Sequence, residues 1–175
     1  MTKTKNITIS AMFVALCIIL PMAFHSVANA GQVFLPMHIP VLLCGMICGW
    51  PYGLACGLLG PLLSSLMTGM PPMAILPGMM FELAAYGFVT GILSRKINTG
   101  NKILDLYIPL ICAMLAGRLL MGILNALIFR AGSYSFSIWL TASFVTALPG
   151  IVIQLIVVPA IVFMLRKAKL ITYPA

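Results

Sequence analysis

The chain has 175 residues, of which 62% are hydrophobic and 7% charged, with a mean hydropathy of +1.16; soluble domains carry about 25% charged residues, so a water-soluble fold is excluded. The formal net charge of +8 would suit a nucleic-acid binder only if it were gathered on one face, and it is instead placed at the ends of apolar runs. Because a bilayer core about 30 Å thick takes about 20 apolar residues per helix, this length accommodates about six spans in one membrane domain.

In chain order, Lys3 and Lys5 precede a first apolar helix over Ile7–Phe24. Ala28-Asn29-Ala30 before Gly31 has the small-x-small order of a signal-peptide cleavage site, but the apolar run of about 18 residues exceeds the usual 7–15 of such a segment. It is therefore expected to be retained as a span, which makes His25 to His38 an external loop. The second helix, Ile39–Cys48, ends at Trp50-Pro51 after about ten residues, or about 15 Å. It cannot cross alone, so the loop before it must dip into the protein under cover of the first helix, since bare backbone cannot face lipid. Further helices are expected over Tyr52–Thr68, Met73–Ser94, Asp105–Phe129 and Ile138–Leu165. The expected fold is all-α: an integral membrane protein with six transmembrane helices, the second short, in a single domain over residues 1–175.

The basic residues fix the expected orientation. Arg95, Lys96 and Lys102 surround "RKINTGNK", and Arg166, Lys167 and Lys169 follow the last helix; by the positive-inside rule both termini and that loop are cytoplasmic. Anionic headgroups account for the basicity, and no nucleic-acid partner is expected. Cys17, Cys44, Cys48, Cys56 and Cys112 lie in apolar runs without His or acidic companions at ligand spacing, which makes them packing residues and predicts no metal site. Gly45 with Gly49, Gly53 with Gly57, Gly87 with Gly91, and Ala113 with Gly117 have small-xxx-small spacing that lets helix backbones approach. Ala11 and Ala15 repeat that spacing on the first helix, where a neighbouring helix or another subunit could dock.

Polar groups inside apolar helices are the chemical signal, because an ionisable group at such depth costs at least about 2.5–3.5 kcal/mol unless paired or hydrated. Glu82 on the fourth helix lies about 10 Å below the outer edge and Arg118 on the fifth about 16 Å below it, close enough in level to meet. Tyr86 shares the face of Glu82, and Asn125 nearly shares that of Arg118. Gln154, one turn past Pro149-Gly150, can reach the same space from the sixth helix, with Ser64, Ser65 and Thr68 on the third. His25 and His38 bracket the loop above, and Trp139 and Tyr134 could cap a ligand or simply anchor the interface. Two readings stay open: Glu82 and Arg118 neutralise one another and fix helix register, or the group binds a small polar ligand.

No phosphate-binding GxxxxGK[ST] loop and no nucleophile-base arrangement occurs, so neither nucleotide hydrolysis nor any other catalysis is expected of the chain itself. No pair of broken helices recurs in two related halves, as an inverted-repeat transporter would require.

Six helices, a short second one, a long external first loop, Ala11-x-x-x-Ala15 and the missing ATPase motif resemble the substrate-binding S components of energy-coupling-factor (ECF) vitamin transporters. "MHIPVLLCGMICGWPYGLACGLLGPLLSSLMTGMPPM" followed by "FELAAYGFVTG" resembles the branch assigned to pyridoxine-related vitamins. The resemblance implies a multi-pass protein of the bacterial plasma membrane that binds one vitamin near the outer face. It also implies a transmembrane coupling subunit docking on Ala11 and Ala15, and two ATPase subunits that use the ATP, so the chain needs no cofactor of its own. Under it, Glu82, Arg118, Asn125, Tyr86, His38, Gln154, Trp139 and His25 are candidate substrate contacts. Other substrates (hydroxymethylpyrimidine, pantothenate, a queuosine precursor), an autonomous small-solute facilitator and a purely structural membrane subunit remain alternatives.

Overall fold

The computed structural model describes residues 2–23, 30–168 and 170–171, which include eight α-helices and no strand. They are α1 (Lys3–Ala23), α2 (Ala30–Phe34), α3 (His38–Cys48), α4 (Trp50–Thr68), α5 (Leu76–Lys96), α6 (Leu104–Leu124), α7 (Phe136–Leu140) and α8 (Leu148–Lys167). α6 runs on into a π-helical turn, Asn125–Phe129, and a second π-helical segment, Thr141–Thr146, joins α7 to α8.

Among the described residues, five segments are long and apolar enough to cross a membrane: Lys3–Ala23, Gly31–Cys48, Leu76–Lys96, Leu104–Phe129 and Leu148–Lys167. The expected six are thus five by this measure. α4 has the length, at 19 residues, but its glycines, prolines and serines dilute its apolarity. The single helix expected over Ile138–Leu165 is two helices. Pro149 occupies the first turn of α8, where its missing N–H and fixed φ suit a helix start and do not suit a helix interior.

α3 lies at the centre, packed against α1, α4, α5 and α8, with every residue but Ile39 buried. The entry to it does dip into the protein: Leu35, Pro36 and Met37 are buried as well. Part of that entry is the short helix α2 rather than loop, and it packs on α8. Leu35, at φ 51°, turns the chain from α2 into α3, and a non-glycine residue held there stores about 1–3 kcal/mol of strain.

Glycines set how closely α3, α4 and α5 approach. A Cβ at Gly53 would overlap the Gly87 carbonyl, one at Gly87 the Gly53 carbonyl, and one at Gly57 the Leu83 carbonyl. At Gly45 it would meet Gly87 and Thr90, and at Gly91 the backbone of Trp50. The contact is backbone on backbone, the form of packing that hydrocarbon surroundings favour. The break between α3 and α4 falls at Gly49, whose φ of 98° few other residues adopt. Arg95, in the last turn of α5, donates through Nη2 to the Cys48 carbonyl at 3.0 Å and so caps α3.

α1 is the opposite of α3: only Cys17 is buried. That residue packs on Gly60 of α4, and its thiol donates to the Met37 carbonyl at 3.7 Å. Cys44, Cys48 and Cys56 are buried too, whereas Cys112 lies exposed on α6 and takes no part in the core.

Candidate functional site

The polar residues gather at the end of the bundle opposite the one carrying Arg95 and Lys102. Glu82, on α5, is 2% exposed and accepts through Oε1 from Nη1 of Arg118 on α6 at 3.0 Å. The Tyr86 hydroxyl, one turn along α5, donates to the same oxygen at 3.3 Å. His38, the first residue of α3, approaches it with Nε2 at 3.8 Å. The His38 and Tyr86 rings meet edge to face, with centroids 5.3 Å apart.

Small residues let these side chains converge. A Cβ at Gly117 would overlap the Tyr86 ring, so the glycine before Arg118 opens α6 to α5. Asn125 lies over Gly78, 3.3 Å from the place where a Cβ would be. Gly78 and Glu82 are one turn apart on α5, so Asn125 and Arg118 cover one face of that helix. The π-helical turn begins at Asn125, whose carbonyl accepts from Arg130 N at 2.8 Å; such widened turns are common at functional sites.

Trp139 joins the cluster through the backbone. Its indole Nε1 donates to the Arg118 carbonyl at 3.0 Å, and the ring covers Gly122. Phe136 and Phe144 flank it, with centroids 5.4 Å and 5.5 Å away. Gln154 is fully buried on α8. Gly150, one turn before it, lies against Val33, Phe34 and Leu35, so Gln154 is carried on the side of α8 turned to the α2–α3 junction.

Several of these groups have hydrogen-bonding capacity that the protein leaves unused. Among the described residues, both ring nitrogens of His38, Nε and Nη2 of Arg118, and both amide atoms of Gln154 are buried without a hydrogen-bond partner. The same holds for the hydroxyls of Ser143 and Tyr134. Each such group costs about 1–3 kcal/mol relative to a satisfied one, and buried polar atoms are satisfied in the large majority of native structures. Tyr134 lies outside the spans; burial pushes its hydroxyl above the usual tyrosine value, against the pull of the Arg130 charge.

The expected meeting of Glu82, Arg118 and Tyr86 is therefore present, with His38 added from α3. His25 lies outside the described residues. Ser64, Ser65 and Thr68 do not line this cluster with free hydroxyls. Ser64 and Ser65 donate to the Met70 and Pro71 carbonyls at 2.8 and 2.7 Å, and Thr68 to the Ser64 carbonyl at 2.7 Å, so they tie down the turn after α4. A depression of about 350 Å³ lined by Ser137, Ile138, Thr141, Ala142 and Thr146 touches none of the clustered residues. Ser143 escaped the sequence reading because one serine in "TASFVT" carries no spacing signal.

Residues 5–162 match the family model of the ECF transporter substrate-specific component. The chain belongs to that family. Its members are the substrate-binding components of transporters, not enzymes, and they work with an ECF module. No curated protein and no solved structure matches the chain.

Proposed function

We propose that this S component captures a small vitamin of the B6 type (pyridoxine, pyridoxal or pyridoxamine) at the extracellular side and delivers it inward. A coupling subunit and two ATPase subunits drive delivery. The observation that carries the reading is the buried cluster of Glu82, Arg118, Tyr86 and His38, which leaves donors and acceptors unused at its edges. In this reading Glu82 accepts from the protonated ring nitrogen or the amino group, while Arg118 and Asn125 take the phenolic and hydroxymethyl oxygens. Tyr86 is already wedged between Gly117 and His38, which leaves ring stacking to Trp139. His38 and Gln154 supply the remaining polar contacts.

The basic end, with both termini, faces the cytoplasm by the positive-inside rule. Ala11 and Ala15 lie exposed on α1 beside Met12 and Leu16, and we assign this face to the coupling subunit. The close backbone contact of α3, α4 and α5 seals the cytoplasmic half, which argues against free passage through this chain alone.

Isothermal titration of the purified protein with the three B6 vitamers is the test. Saturable heat with at least one of them is expected; heat from none, with tight binding of another vitamin, rejects the substrate. The direct Glu82–Arg118 contact favours a second reading, in which the pair only fixes the register of α5 against α6. Absence of binding to any small molecule would support that one.

A further inference from the structure

Resting on the reading of this cluster as a binding site, we infer that the ligand is a dipolar small molecule with a two-oxygen anionic edge. That edge is a carboxylate, or an aromatic oxide beside an oxygen-bearing carbon, and it docks side-on against Nε–H and Nη2–H of Arg118. The guanidinium is used on one side only. Nη1 meets Glu82 Oε1 at 3.0 Å, whereas Nε and Nη2 are buried and, among the described residues, unbonded in a side chain that is 7% exposed. In a planar guanidinium the Nε–H bond and the neighbouring Nη2–H bond are parallel, forming the fork that accepts two oxygens of one group. A lone hydroxyl or amide oxygen aligns with one prong or is shared between both through bent, weaker bonds.

Charge narrows the class further. Glu82 and Arg118 cancel, so a simple anion would carry a net negative charge into a poorly solvating site. A ligand with a positive or strongly polarised N–H at its other end offsets this by facing Glu82. His38, with Nε2 3.8 Å from Glu82 and both nitrogens unbonded, is placed to accept or donate beside it. Pyridoxine as its zwitterion, with a ring N–H⁺ and an oxide next to a hydroxymethyl group, belongs to the class. Neutral polyols do not.

The test titrates the full-length protein in detergent with pairs of probes that differ at the acceptor edge and carry a ring nitrogen that can face Glu82: pyridoxine against its 3-deoxy analogue, and nicotinate against nicotinamide. The anionic member of at least one pair is expected to bind, at least about tenfold tighter than its neutral counterpart. Arg118→Lys keeps a cation beside Glu82 but removes the fork, and it is expected to weaken that binding about a hundredfold. Equal binding by the neutral member, an unaltered affinity in Arg118→Lys, or binding by none of the anionic probes overturns the inference. The probe pairs decide it on the wild-type protein even where the lysine variant does not fold. Should pyridoxine fail while a carboxylate binds through Arg118, the B6 assignment falls and this inference stands.

Discussion

The two halves of the bundle solve the same problem, the absence of a hydrophobic driving force between helices in lipid, in opposite ways. Toward the basic end, α3, α4 and α5 meet through glycine, with carbonyls where side chains would be, and that contact leaves no space to fill. Toward the other end, α3, α5 and α6 meet through Glu82, Arg118, Tyr86 and His38, and donors are left over. A contact optimised for stability resembles the first. The second retains polar groups at a cost in stability, which is the arrangement expected where a ligand completes the bonding.

Enlarging a glycine in the sealed half has the largest expected effect. Gly53→Leu or Gly87→Val forces α4 from α5 against backbone that cannot yield, beyond the about 1–3 kcal/mol of ordinary overpacking, and is expected to abolish a monodisperse peak in size-exclusion chromatography. Gly31→Ala, where nothing lies within 4 Å of the added Cβ, should leave the same trace unchanged.

In the polar half, Glu82→Gln strips a buried guanidinium of its counter-charge, a loss of about 3–5 kcal/mol, and should lower the thermal midpoint and remove ligand binding together. The double variant Glu82→Leu with Arg118→Met sharpens the contrast. Replacing both partners is expected to recover most of the midpoint and none of the affinity. Recovery of both would make the pair structural.

Ala11→Trp and Ala15→Trp act outside both contacts. They are expected to keep ligand affinity within about twofold, because surface changes away from packed features alter little, while lowering ATP-dependent uptake by proteoliposomes that contain the partner subunits. Unchanged uptake counts against the docking face. The smallest effect is expected from Trp139→Phe, which deletes the indole donor to the Arg118 carbonyl and should cost about 0.5–1.5 kcal/mol, read as a modest loss of affinity.

The spans were legible because apolar runs of about 20 residues have few other uses, and the stop after Cys48 because Trp50-Pro51 follows it, although the break itself falls at Gly49 and both of those residues belong to α4. The pairing of Glu82 with Arg118 was legible from depth alone, since both had to find a partner at nearly one level. What local pattern does not carry was missed. α2 is a helix of 5 residues held by α8, and no five-residue sequence announces that. Ser64, Ser65 and Thr68 were read as cavity lining, but nearby backbone carbonyls compete for such hydroxyls and here they win. Cys112 shares the apolar character of its four counterparts, and only tertiary packing turns it outward. His38 was read as the last residue of a loop, yet it starts α3 at the level of Glu82. That placement lengthens α3 by one residue and brings an imidazole to the carboxylate.

The most direct measurement is an experimental structure of the protein with the vitamin it binds most tightly. Density for that vitamin within hydrogen-bonding distance of Arg118 and Glu82, between α3, α5 and α6, is the result this account predicts. A vitamin held elsewhere, with the Glu82–Arg118 pair and the unbonded edge of Arg118 unchanged, would contradict it.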